Sequence, residues 1–129
     1  MIRRIAALLA AAAAVALGAH YGTPSAGGDV MLAQTAPEKA KVLVQDNFFE
    51  PRSTQIREDG RVTWSWRGMN RHNIAFTKVP EGASRKGART RTDGRWKRTF
   101  HKPGVYRYVC RLFAGMRGTV TVRRAQPPQ

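Results

Sequence analysis

Short segments of alternating apolar and polar residues recur between residues 41 and 123, and turn residues separate them. The segment with Val62, Trp64 and Trp66 shows the pattern most clearly, because Thr63 and Ser65 alternate with the three apolar residues. A period of two places successive side chains on opposite faces of a β-strand, so each segment predicts a strand with one buried face. No window of ten residues in this region shows a convincing helical period. We therefore predict an all-β domain.

The predicted strands number about seven or eight, and their close spacing is typical of a β-sandwich or barrel. An apolar turn is predicted at residues 48–51, after the first strand. The next two strands, at residues 54–57 and 62–66, are predicted to form a hairpin through the turn at residues 58–60. The remaining predicted strands lie near Ile74, Trp96, Tyr108 and Val120, and Tyr106, Tyr108 and Cys110 share one face.

The first 28 residues have the three parts of a secretory signal. Arg3 and Arg4 are followed by an apolar, uncharged run from Ile5 to Ala19, and small and polar residues come next. An uncleaved membrane anchor is the alternative, although the run has 15 residues and a bilayer crossing needs ~20. We expect a flexible linker at residues 29–39, the domain at 40–124 and a disordered tail at 125–129. The protein is then expected in the periplasm, the cell envelope or the extracellular space.

The chain carries 23 Lys and Arg against 8 Asp and Glu, a formal net charge of +15. Only Arg3, Arg4 and Asp29 precede residue 38, so nearly all of the charge belongs to the predicted domain. The charge is densest at residues 85–98, for which a solvated basic loop leading into a strand is the simplest interpretation. The same density could steer the domain to an acidic redox partner or an anionic envelope surface, and nucleic acid ranks last for an exported protein. The basic residues of this patch are Arg85, Lys86, Arg89, Arg91, Arg95, Lys97 and Arg98.

The chain has one Cys and three His, which excludes an intrachain disulfide and a four-ligand zinc site. Cys110 lies six residues before Met116, so one tight connection brings two sulfurs close. His72 follows a turn and begins the next predicted strand. Thiolate, thioether and imidazole form a soft donor set that favours copper, Cu(I) in particular. The structural alternative is that Cys110 is a buried inert thiol, Met116 fills the core and His72 lies in a surface loop.

Other classes of function lack their sequence signatures. The chain contains no phosphate-binding P-loop and no dinucleotide-binding glycine motif at the start of a helix. The seven acidic residues of the domain are mostly isolated, and none can be placed with Ser and His in a catalytic arrangement. We therefore predict that the protein is not an enzyme.

Several motifs resemble those of a known family. The longest runs from Phe100 to Val120 as Phe-x-x-Pro-Gly-x-Tyr-x-Tyr-x-Cys-x-x-Phe-x-x-Met-x-Gly-Thr-Val. Residues 46–51, residues 60–64 and the pair His72-Asn73 precede it. Over about residues 41–123 the chain resembles the plastocyanin/azurin-type cupredoxins, and the short connection from Cys110 to Met116 is similar to that of amicyanin-type members.

This resemblance implies a Greek-key β-sandwich that holds one type 1-like copper ion at one end and transfers single electrons. The residues at the matching ligand positions are His72, Cys110 and Met116, and Asn73 stands beside the first of them. Phe113 occupies the position of the family's second His ligand. The remaining three donors suit three-coordinate Cu(I) and disfavour Cu(II). We expect a monomer that carries electrons or holds Cu(I).

The presence of Phe113 in place of the family's second His ligand supports an alternative function. Phe113 could close an apolar lid over an empty site, and burying such a side chain is worth about 1.5 to 3 kcal/mol. The chain would then be a degenerate cupredoxin without metal. It would act as a basic binding module for an acidic partner or an envelope surface.

Overall fold

A computed structural model describes residues 35–127, which form nine β-strands and no helix. The predicted signal or anchor, most of the predicted linker and the last two residues of the tail lie outside the described residues. Within residues 35–127, no helix is long and apolar enough to cross a membrane. The strands are β1 (Lys39–Gln45), β2 (Phe48–Glu50), β3 (Ser53–Arg57), β4 (Gly60–Trp66), β5 (His72–Lys78), β6 (Ala88–Arg91), β7 (Arg95–Phe100), β8 (Gly104–Val109) and β9 (Arg117–Arg123).

The strands form two sheets that enclose one core. The first sheet has the order β2-β1-β4-β7, and the second has the order β3-β9-β8-β5-β6. The β1/β4 and β3/β9 pairs are parallel, and the other pairs are antiparallel. This arrangement confirms the predicted all-β sandwich.

The core consists of the alternate residues that each strand turns inward. Val62 and Trp64 of β4 are fully buried, and so are Tyr106 and Tyr108 of β8 in the opposite sheet. The rings of Trp64 and Tyr108 lie nearly perpendicular, with centroids 5.6 Å apart. Such edge-to-face pairs add to the stabilisation from burial alone, and large aromatic side chains supply much of the core of a domain this small.

Two of the nine strands lie where the sequence predicted turns or loops. Residues 48–50 form β2, which pairs with β1, and residues 88–91 form β6, which pairs with β5. Both are short strands at sheet edges. Each has at most four residues, so the period of two is too brief to recognise from sequence.

The predicted hairpin of residues 54–57 with residues 62–66 is wrong. β3 pairs with β9 in the second sheet, whereas β4 lies between β1 and β7 in the first sheet. The connecting turn crosses between the sheets: the Glu58 N–H donates to the Arg123 carbonyl and the Asp59 N–H to the Phe100 carbonyl, both at 2.7 Å. The buried side chains of β3 and β4 therefore reach the core from opposite sheets.

One end of the sandwich brings together segments that are distant in the sequence. β1 and β4 both end there, and β5 begins there after the turn at residues 67–71. β8 runs antiparallel to β5 and β9, so it ends beside the start of both strands. Residues distant in sequence therefore meet at this end.

Candidate metal centre

The three predicted ligand residues lie at this end of the sandwich. His72 is the first residue of β5, Cys110 follows β8 directly, and Met116 directly precedes β9. They are 0%, 3% and 1% exposed. The Cys110 N–H donates to the Met116 carbonyl at 2.9 Å, which closes the connection that joins β8 to β9. The alternative placing of His72 in a surface loop is wrong, because the side chain is completely buried.

The His72 imidazole and the Cys110 thiol face each other. The Nδ1 atom of His72 lies 3.7 Å from the Sγ atom of Cys110. A metal ion bonded at about 2.0 Å to nitrogen and at about 2.3 Å to sulfur, with about 120° between the two bonds, places the two donor atoms about 3.7 Å apart. The separation of the two donors therefore fits trigonal coordination of one metal ion.

The Asn73 side chain hydrogen-bonds to the β8–β9 connection, which contains Cys110. Its side-chain oxygen accepts the Arg111 N–H at 2.9 Å, and its amide nitrogen donates to the Thr90 hydroxyl at 3.2 Å. The Asn73 side chain thus joins β5, β6 and the residue after Cys110. This contact places Asn73 beside the candidate ligands without making it one of them.

Trp66 fixes the backbone at His72. Its indole N–H donates to the His72 carbonyl at 3.1 Å within the buried core. Because Trp66 ends β4 and His72 begins β5, this bond spans the turn between the two strands. It holds the start of β5 against the first sheet.

Asp46 is a residue of this site that the sequence analysis missed as a functional candidate. Its carboxylate accepts the backbone N–H groups of Met69 and Asn70 at 2.8 to 3.0 Å, and Oδ1 lies 3.4 Å from Nε2 of His72. These two N–H groups, and then His72, lower the pKa of Asp46 below its ordinary value. Asp46 directly follows β1, and an acidic residue at the end of a strand is the only sequence signal of this role.

Asp46 and Cys110 thus contact opposite nitrogens of the His72 ring. A carboxylate behind a metal-binding imidazole orients the ring and raises its basicity. The same carboxylate holds the 67–71 turn, so the imidazole and the turn are positioned together. The candidate centre therefore contains a carboxylate that positions the imidazole, in addition to the candidate donor atoms.

Phe113 lies against the His72 ring. The ring centroids are 4.9 Å apart at an angle of 49°, and Phe113 is partly buried against the core. Its carbonyl accepts the Met116 N–H at 3.3 Å. Among the described residues, no group of three or more His, Cys, Asp and Glu side chains could hold a metal ion. The buried soft donors at this end are one imidazole, one thiol and one thioether, since the other thioether there, that of Met69, is exposed.

A sequence model of the family described as copper binding proteins, plastocyanin/azurin family, matches residues 38–123. The chain belongs to this family. The match covers all nine strands, and it contains the three candidate ligands. A comparison with curated protein sequences finds no match.

Solved structures agree with this assignment. A purple cupredoxin from Nitrosopumilus maritimus is 25% identical, and the match covers 64% of this chain and 98% of that one with a TM-score of 0.57. A reduced Cu(I) form of an amicyanin mutant is 25% identical over 70% of this chain and 88% of that one, with a TM-score of 0.59. A copper-containing nitrite reductase from Thermus scotoductus shares the fold at 23% identity over 26% of its own length, with a TM-score of 0.58.

The basic patch of this cupredoxin leads into a strand as predicted, but the part before that strand is not only a loop. Arg89 and Arg91 lie in β6, and the patch residues from Arg95 onward lie in β7. Arg98 points inward and is half buried, and its guanidinium lies 4.4 to 5.3 Å from the ring centroids of Phe76, Phe100 and Tyr106. The alternation of β7 therefore divides the patch between the surface and the edge of the core.

Proposed function

We propose that this cupredoxin binds a single copper ion through His72, Cys110 and Met116, in a site that favours Cu(I). The observation that carries the proposal is the 3.7 Å separation of His72 Nδ1 and Cys110 Sγ, with Met116 buried at the other end of the same connection. Copper supplies a one-electron couple when it is bound. A single imidazole with two sulfur donors suits the soft Cu(I) ion better than Cu(II).

The environment of these donors supports holding a metal in a fixed geometry. All three side chains are buried, Asp46 supports the imidazole, and Asn73 holds the residue after the thiol. A rigid site of this kind changes little between oxidation states. We infer that the protein transfers single electrons or holds Cu(I), and that it is not an enzyme.

The test is the uptake of Cu(I) and Cu(II) by the purified protein under anaerobic conditions, measured by native mass spectrometry and by visible absorption. We expect one Cu(I) per chain and much weaker uptake of Cu(II). Met116→Leu should weaken Cu(I) binding at least tenfold. Met69→Leu is the matched control, because Met69 is 89% exposed. Equal effects of the two variants, or no uptake of either ion, would contradict the proposal.

A second candidate function rests on Phe113. Its ring packs against His72 and the core, as it would if the site were closed by an apolar lid. The protein would then act without metal as a basic binding module. The absence of copper uptake, together with unchanged stability of Cys110→Ser, would favour this function.

We propose that the protein is exported and that its charge steers it to an acidic redox partner or an anionic envelope surface. The support is the signal-like residues 1–28 and the excess of basic residues in the folded domain. Association with such a partner should slow as ionic strength rises. Cell fractionation of the tagged full chain tests the location, and retention in the cytoplasm would refute export.

A further inference from the structure

A cavity of about 400 Å³ lies between β7 and the segment that joins β5 to β6. Thr99 and His101 line one side of it, and the Gly82–Ser84 segment lines the other. Cys110 follows the far end of β8, whereas this cavity lies near the start of that strand, beside Lys102. The cavity is therefore separate from the candidate metal centre. Its volume is in the range of small-molecule sites in proteins, about 300 to 1,000 Å³.

The wall of the cavity combines flat apolar surfaces with a fixed cation. Trp96 contributes an aromatic ring, and Ala83 contributes a methyl group. Arg98 reaches across the cavity and donates to the Lys86 carbonyl at 3.0 Å and to the Ser84 carbonyl at 2.5 Å. Because these bonds and the stacked rings hold the guanidinium in place, no ordering of Arg98 is needed when a ligand binds.

The charged side chains that line the cavity are cationic. Among the described residues, the cavity is lined by Lys86, Lys97, Arg98 and Lys102, and by no Asp or Glu. Among the ion pairs of residues 35–127, none involves these four cations, whereas the lining residue His101 pairs with Asp59 at 2.8 Å. Burial lowers the pKa of Arg98 below its ordinary value, which reflects the half-buried charge without a carboxylate partner. An anion in this cavity would supply the missing counter-charge.

The Gly82 turn brings one of these cations to the cavity. Gly82 has a φ of +77°, and a Cβ at this position would lie 2.6 Å from Nζ of Lys102. The Lys102 ammonium is also 3.5 Å from the Glu81 carbonyl. The turn therefore leaves just enough space for an ammonium group at the edge of the cavity.

We propose that this cavity binds a small organic anion, a carboxylate or sulfonate on a flat apolar body of one or two rings. The partly buried Trp96 ring would contact the flat body, and Arg98, Lys86 and Lys102 would hold the anionic group. Charge and shape act together in this site, so neither a neutral aromatic molecule nor an inorganic anion should bind as well.

The experiment uses 2-naphthoate as the probe, with its neutral amide and inorganic phosphate for comparison. Isothermal titration calorimetry on the purified full chain should show naphthoate binding at least tenfold tighter than either. Equal binding of the acid and the amide, or binding of phosphate as tight as that of naphthoate, would overturn the proposal. So would the absence of naphthoate binding at millimolar concentration.

Two charge variants separate a site from general attraction to a basic protein. The double variant Lys86→Gln/Lys102→Gln should weaken naphthoate binding at least fivefold. The matched control Lys39→Gln/Lys41→Gln removes the same charge from exposed positions of β1 and should change binding less than twofold. Both pairs are exposed, so the fold should persist, which circular dichroism verifies. Equal weakening by the two double variants would refute a defined site.

Discussion

At the scale of single residues, the candidate centre depends on which atoms face the two nitrogens of His72. Cys110 Sγ lies on the Nδ1 side and Asp46 Oδ1 lies on the Nε2 side. The ring itself is completely buried, so its orientation is determined by protein contacts and not by water. The Asp46 carboxylate can be replaced without removing any of the three candidate metal ligands.

Asp46→Asn should weaken Cu(I) binding by 10- to 100-fold, which is the usual effect of removing a carboxylate behind a metal-binding imidazole. Competition with a chromophoric Cu(I) chelator measures the affinity. In the metal-free protein, the His72 ring resonances in NMR spectra should shift or broaden as well. The control is Asp59→Asn, because Asp59 makes a similar contact with exposed His101 at 2.8 Å. If the two variants bind Cu(I) equally well, Asp46 does not position His72.

Phe113→His should create an intense visible absorption band on addition of Cu(II). A second imidazole beside Cys110 would complete the two-nitrogen, one-thiolate donor set of a blue copper site. Phe48→His is the control, since Phe48 is an exposed aromatic residue of β2. Copper binding by Phe113→His without an intense band would mean that His72 and Cys110 are not positioned as ligands.

At the scale of strands, the pairing of β8 with β9 limits which residues can stand at the start of β9. Gly118 lies opposite Tyr108, and a Cβ at Gly118 would overlap the Tyr108 ring. The Tyr108 ring is held by Phe49 at 4.7 Å and by Trp64 at 5.6 Å between centroids. The Tyr108 ring cannot move aside without disturbing the core. Residue 118 is therefore glycine because the Tyr108 ring occupies the space that a Cβ would need.

Gly118→Ala should lower the free energy of unfolding by about 1 to 3 kcal/mol, the usual effect of overpacking a core. Denaturation in urea measures the change. Thr119→Ala in the same strand is the control, because Thr119 faces away from the core. If Gly118→Ala lowers the free energy of unfolding by less than about 0.5 kcal/mol, the range of neutral surface substitutions, the Tyr108 ring can move to accommodate the added methyl group.

At the scale of the whole molecule, stability at high pH depends on a buried phenol. Burial raises the pKa of Tyr108 to about 12. The folded state therefore keeps its proton at a pH where the unfolded chain, with a pKa of about 10, has lost it. The stability linked to this group is complete below pH 10 and is lost as the pH rises toward 12.

Between pH 10 and 12 the free energy of unfolding should fall by about 2 kcal/mol through Tyr108, because the linked slope reaches its limit of about 1.4 kcal/mol per pH unit only in the middle of this interval. Tyr108→Phe should lack this part of the loss. At neutral pH the variant should be nearly as stable as the wild type, because the hydroxyl has no hydrogen-bond partner among residues 35–127. Denaturation series at several pH values compare the two proteins, and parallel curves would contradict the assignment to Tyr108.

The sequence by itself determined the all-β class, the inward faces of the longer strands and the closeness of the two sulfur donors. Period-two alternation is local, and Cys110 and Met116 are close in the chain, so both features follow from neighbouring residues. The tertiary structure alone decided that β3 and β4 lie in opposite sheets, that Asp46 supports His72 and that Arg98 turns inward beside a cavity. These contacts join residues 12 to 26 positions apart, or strands whose partners come much later in the chain. Alternation shows that a face is buried, but the partner it meets depends on how the sheets pack.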